Sequence, residues 1–367
     1  MAGDLFEALP PLYAGWVGEL LGAGIPAERK ATCDACAMCP PPGGATGGAA
    51  YFEPSLKCCT FMPRLPNFLV GAILADDADA ADAAGRESLL RRLGAREAVT
   101  PLGVDRSAAY GLLYDAGEET FGKARGLVCP HFLADTGRCG VWRHRNSVCA
   151  TWFCKHERGQ VGFQFWRSAL QRLLGVVERA LAKWCVAELD IGPDALEALA
   201  ASPAWNNDSA PLTARALDGG VDERAYARLW GRWRDREPEF FARSAALVAP
   251  LSWAEVSAIA GAEGGMLATV TQLAFQRLTA AAAPGRLVPA EFRIARAGPE
   301  ATRVVAYSPY DPLDIPNVVL ALLPAFDGRP TADVIADVEA RTGFRLEPDL
   351  VRKLADFGVL KPAEGEA

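Results

Sequence analysis

Nine of the ten cysteines and all three histidines of this 367-residue chain lie between Cys33 and His156. They fall into two groups. The first is Cys33-x2-Cys36-x2-Cys39 with Cys58-Cys59; the second is Cys129-Pro130-His131, Cys139, Cys149 and Cys154-Lys155-His156. Soft donors concentrated in this way point to metal. Three thiolates at two-residue intervals sit on one tight loop and can each reach a different iron of a cubane, whose remaining ligand is remote and often precedes proline, as Cys129 does. Structural zinc more often takes two separate short-spaced pairs of Cys or His. The expected metal ligands are therefore drawn from Cys33, Cys36, Cys39, Cys58, Cys59, Cys129, Cys139, Cys149 and Cys154. His131 and His156 are candidates for further ligands or for donors to the sulfurs. The expected cofactor is an iron–sulfur cluster of the 4Fe–4S type, with zinc as the alternative.

Nine cysteines exceed the four ligands of one centre, so both one centre and two centres stand open. Adjacent residues tend to point apart, so one of Cys58 and Cys59 is read as a ligand and the other as core, with no basis for choosing. Lys57, Arg138, Arg143, Arg145 and Lys155 offer positive charge to offset the thiolates, or form a solvated surface. His144, between Arg143 and Arg145, reads as an exposed basic turn.

In Cys129-Pro-His-Phe-Leu, Cys139-Gly-Val-Trp-Arg-His-Arg and Cys149-x4-Cys154 the chain resembles a bacterial cysteine-cluster family described as zinc- or iron-chelating. That family shows Cys-x2-Cys-x2-Cys-Cys, then Cys-Pro-Phe-Leu, and the likeness covers residues 30–160. Here eighteen residues separate Cys39 from Cys58 where the family has few or none, and Asn146 stands where the family has proline. The ligand pattern is distantly similar to that of the flagellin lysine methylases, which implies an iron–sulfur centre working with S-adenosylmethionine; the chain has no glycine-rich methyltransferase loop. Phe326-Asp-Gly-Arg-Pro-Thr331 through Val351-x2-Leu354-x2-Phe357-Gly-Val-Leu360 looks like the small winged-helix domains that bind peptides in peptide-modification pathways, the alternative being a generic winged helix used only for packing or dimerisation.

The elements that must carry these residues predict a mainly α protein in three parts: a cysteine-cluster region (1–160), irregular in its Cys-rich part, a helical middle (161–285) and a small α/β winged-helix-like domain (286–367). Residues 4–22 have an amphipathic helical pattern, a lid packing on the segment after it. Proline and glycine at 40–48 forbid regular structure. Trp166, Leu170, Leu173, Val177, Leu181 and Trp184 recur at helical spacing over 163–189, and Cys185 on that apolar side reads as core. Helices are expected at 222–248, interrupted at Pro238, and at 252–281. Beyond Pro284-Gly285 come two strands joined at Gly298-Pro299, then helices at 315–323, 331–341 and 347–357, with Thr331 as N-cap and Gly343 as stop.

A net charge of −7 argues against nucleic acid or an anionic membrane as partner. Asp4 and Glu7 stand where an export signal carries Lys or Arg, so a cytoplasmic location with reduced thiols is expected. No phosphate loop, dinucleotide fingerprint or Gly-x-Ser-x-Gly is present. Two functions remain: an iron–sulfur protein supporting redox chemistry or modification of a protein or peptide, and a zinc-stapled scaffold. The C-terminal domain is the expected contact for a protein or peptide partner.

Overall fold

The computed structural model describes residues 9–25, 28, 36–40, 52–76, 80–206, 208 and 213–365. Cys33, most of the proline- and glycine-rich loop that follows it and the start of the expected N-terminal helix lie outside these residues. The fold is mainly α. The described residues divide into two units, each discontinuous in sequence. One draws on Met1–Ile25, Cys33–Trp152 and Gln171–Ala268; the other on Pro26–Thr32, Phe153–Leu170 and Thr269–Ala367. The C-terminal 286–367 falls within the second unit, and 161–285 is shared between them.

The centre of the first unit is the helix Asn67–Ala75, buried along most of its length. Asn67 fixes its start, donating to Pro101 O and Ala182 O at 2.9 Å each. The helix Glu237–Val248 crosses it at Gly71, where a β-carbon would lie 1.9 Å from Phe241 O; only glycine admits that approach. Around this contact Trp230 stands edge-on to Phe240 and Phe241, with centroids at 5.5 and 5.6 Å. Leu65, Val70, Ile73, Leu89, Val104 and Val186 complete the core. The helix Gln171–Glu188 follows a π-helical turn at Gln164–Leu170. Its buried face holds Leu173, Val177, Leu181 and Cys185, the last with its sulfur 3.8 Å from Ser244 O. Trp16, on the helix Pro11–Leu21, donates to Leu251 O at 2.8 Å and ties that helix down.

In the second unit Ala301–Val305 is the middle strand of a three-stranded antiparallel sheet, flanked by Arg293–Arg296 and Leu313–Pro316. Leu360–Pro362 pairs with Leu287–Pro289. Helices Asn317–Leu322, Thr331–Thr342 and Pro348–Asp356 pack over a core that includes Leu287, Val304, Ile315, Phe326, Val334 and Val351. The third strand takes residues 313–316, which the sequence assigned partly to a helix. Thr331 is not the cap of its helix but its first residue; its hydroxyl donates to Pro284 O at 3.1 Å. Gly343 ends that helix in the left-handed region, φ 71°.

Among the described residues no single helix is long and apolar enough to cross a membrane. Glu237–Val248 and Trp253–Thr279 satisfy length and composition together, bent by 102°.

Candidate metal site

Four short segments of the first unit bring their cysteines to one cavity of about 110 Å³. The tight turns at 54–60 supply Cys58 and Cys59, with Lys57 held at φ 54°. A turn after the helical Arg125–Leu127 supplies Cys129, whose amide donates to Cys59 O at 2.7 Å and locks the two sequence groups together. The hairpin Phe132–Leu133 with Arg138–Cys139 supplies Cys139. The helix Ser147–Thr151 supplies Cys149, whose amide is capped by Asn146 Oδ1 at 3.0 Å. Asn146 thus caps the start of this helix. Phe61, Phe121, Trp142, Val148 and Trp152 form the apolar wall. Cys36 and Cys39 stand on an adjoining turn, with Cys39 in the field of Cys58 and Lys57.

The sulfurs feel one another. Burial and the charge of Cys139 push Cys129 up to about 12, against the pull of the His131 amide and Arg92. Burial raises Cys139 and Cys149 as well, the latter also through Cys129, Cys139 and Cys58. Cys39 rises to about 11 through burial and Cys36. Within the Cys58-Cys59 pair a hydrogen bond from Cys59 brings Cys58 down to about 7, while Cys59 is raised as its donor. Amides two residues on, those of His131 and Val141, point at the sulfurs of Cys129 and Cys139, the kind of donor that tunes a thiolate for metal.

A buried cation lies at the cavity itself. Arg145 lies flat on the Trp142 ring, 3.4 Å from its centroid, and donates to Cys149 O at 3.2 Å and Trp142 O at 3.0 Å. It favours the thiolate forms of Cys58, Cys139 and Cys149. Lys57 donates to Gly137 O at 2.9 Å, next to the Cys139 hairpin. Arg138 and Arg143 are exposed. His144 is not an exposed turn: it is half-buried, with Nε2 2.7 Å from Asp76 Oδ2.

Two supports were silent in the sequence. Gly85, on the helix Ala80–Ala95, meets Gly140 so closely that a β-carbon would lie 1.7 Å from Gly140 O. One turn on, Ser88 Oγ donates to Gly85 O and lies 2.7 Å from His131 Nδ1. The imidazole therefore donates from Nδ1 and keeps the Nε2 lone pair. Burial, then Arg92 and Arg91, lowers His131 to about 3, so it is neutral. Glu178 is the second support. Its buried carboxylate accepts Tyr13 OH and Ser147 N–H, each at 2.5 Å, and Ser147 Oγ at 2.7 Å. It fastens the Cys149 helix to Gln171–Glu188. Glu178→Leu should cost about 3–5 kcal/mol by leaving those donors buried without an acceptor; a urea midpoint equal to that of the parent would contradict this.

Cys154 and His156 belong to the second unit. Cys154 is half-buried and its charge favours the cation of Arg167. His156 is buried against the rings of Phe153, Phe163 and Tyr307, and its amide donates to Asp311 Oδ2 at 3.1 Å. Among the described residues no three Cys, His, Asp or Glu side chains are already drawn to metal-binding positions. The donor set nonetheless suits a thiophilic metal: buried sulfurs, aimed amides, a buried cation and an apolar wall. Compared with family models, curated proteins and solved structures, the chain matches none.

Proposed function

We propose that the protein binds an iron–sulfur cluster, of the 4Fe–4S type, in its first unit, and works in the cytoplasm in redox chemistry or in modification of a protein or peptide. The observation that carries this reading is the convergence of Cys58, Cys59, Cys129, Cys139 and Cys149, from four segments, on one small cavity. Five sulfurs, with Cys36 and Cys39 beside them, suffice for the four ligands of either centre; the Cys33-x2-Cys36-x2-Cys39 spacing and the proline after Cys129 favour the cluster. These cysteines would hold the group, and Cys33 belongs to the same spacing. When bound, such a cluster supplies single-electron transfer. Arg145 offsets thiolate charge, and Phe121, Trp142 and Trp152 keep water from the sulfurs. The spacing likeness to the metal-chelating cysteine-cluster family supports the same reading. The C-terminal strands and three helices fit a winged-helix-like domain, which we assign to contact with a protein or peptide partner.

Anaerobically purified protein should be brown, absorb broadly near 400 nm and contain iron and acid-labile sulfide. Colourless protein with stoichiometric zinc would replace this reading with the zinc-stapled scaffold.

A further inference from the structure

The helix Gln171–Glu188 carries a second pattern besides its apolar face. Arg172, Arg179 and Lys183 are spaced by seven and four residues, so they share one side of the helix. They line a cavity of about 570 Å³ in the first unit, with Arg64 and Arg106 supplied by other segments. A chain of net charge −7 thus gathers five cations around one concavity. Like charges at this spacing repel one another. The local carboxylates do not offset them all. Asp105 pairs with Arg64 and Asp115 with Arg106, Glu178 is bonded to Tyr13 and Ser147 while feeling the charge of Arg179, and Glu263 is exposed with no ion pair to the helix cations. Among the described residues Arg172, Arg179 and Lys183 form no ion pair with a carboxylate; Lys183 instead lies 4.5 Å from the centre of the Trp205 ring.

Gly175 stands between Arg172 and Arg179 on the cavity floor, and a β-carbon there would meet nothing closer than 3.7 Å. The atoms at that distance are Arg179 Nη1 and Ser147 Oγ, so the Arg179 guanidinium reaches over Gly175 toward the Arg172 side of the floor. From Arg172 to Lys183 the cations span about 16 Å of helix at about 1.5 Å per residue. The volume is in the range of small-molecule sites, about 300–1,000 Å³.

We propose that this cavity binds a phosphorylated small molecule of nucleoside-diphosphate size, its phosphates held by Arg172 and Arg179 across Gly175. Guanidinium groups match phosphate oxygens two at a time, which a single ammonium does not. Lys183 and Trp205 form the far wall, where an aromatic ring or sugar meets an apolar face. The cavity shares Phe61 and Val148 with the cysteine site, but the inference stands without metal there.

Titration calorimetry of the full chain with ADP and with inorganic pyrophosphate tests this. We expect saturable binding of ADP that weakens as salt rises, and competition by pyrophosphate. Arg172→Gln with Arg179→Gln should weaken ADP by about tenfold or more, with metal per chain unchanged. Arg179→Gln alone should give a smaller loss in the same direction, so poor folding of the double variant would not decide the matter. No binding of either probe to the parent chain, or equal binding by the variants, would overturn the proposal.

Discussion

Serine in place of Cys129 should lower bound iron or zinc about tenfold or more. Cys129 is the cysteine on which the others converge. Its amide is bonded to Cys59 O, its sulfur receives the His131 amide, and its charge raises both Cys59 and Cys149. Removing that sulfur leaves Cys59, Cys139 and Cys149 without their common neighbour. Cys185 supplies the control, since its sulfur lies in a helix face against Ser244. Metal analysis of anaerobically purified Cys129→Ser and Cys185→Ser should show a large loss in the first and none in the second. A full complement of metal in Cys129→Ser would place any centre elsewhere in the chain.

Gly85→Ala should cost about 3 kcal/mol or more and lower metal content together with stability. The added methyl would meet Gly140 O at 1.7 Å, and neither contact is a side-chain end that can swing away. The helix Ala80–Ala95 must retreat from the Cys139 hairpin, separating Ser88 from His131 as it does so. Overpacking in a tight contact typically costs about 1–3 kcal/mol, and a backbone-to-backbone clash belongs at the upper end. Gly94→Ala on the same helix is the reference, because a β-carbon there meets nothing within 4 Å. It should be neutral or stabilising by about 0.5–1 kcal/mol. Thermal denaturation of the two variants separates steric cause from helix propensity.

The apolar face of Gln171–Glu188 was readable because a helix repeats its burial every three or four residues, and Leu173, Val177 and Leu181 obey that period. The strands Leu65–Pro66, Val99–Thr100 and Gly103–Val104 were not, since two residues are too few to show alternation. Cysteine spacing marked the region of the candidate site, in that Cys58, Cys59, Cys129, Cys139 and Cys149 line one cavity. It could not show that Cys154 leaves the first unit five residues after Cys149, because the change of unit at Phe153 has no mark in composition. The Gly85–Gly140 approach was equally hidden: glycine is common here, and a close contact between distant segments has no one-dimensional signature. Glu178 interrupts an apolar face beside Val177, and only its three donors explain why a carboxylate is buried there. Arg145 was readable as a cation near the cysteines, but its place on the Trp142 ring was not.

The dispersal of the cysteines along the chain has a consequence for biosynthesis. Cys58 and Cys59 are made some 90 residues before Cys149, an interval of about 5–20 s at about 5–20 residues per second on the ribosome. The partner helix Glu237–Val248 arrives later still. Until then the early thiols have no cavity to enter and stand open to oxidation. On the proposed metal-binding reading, a cell making this protein must keep the nascent chain reduced and deliver metal after residue 149 has emerged, so overexpression that outruns metal supply should yield oxidised, metal-poor chains.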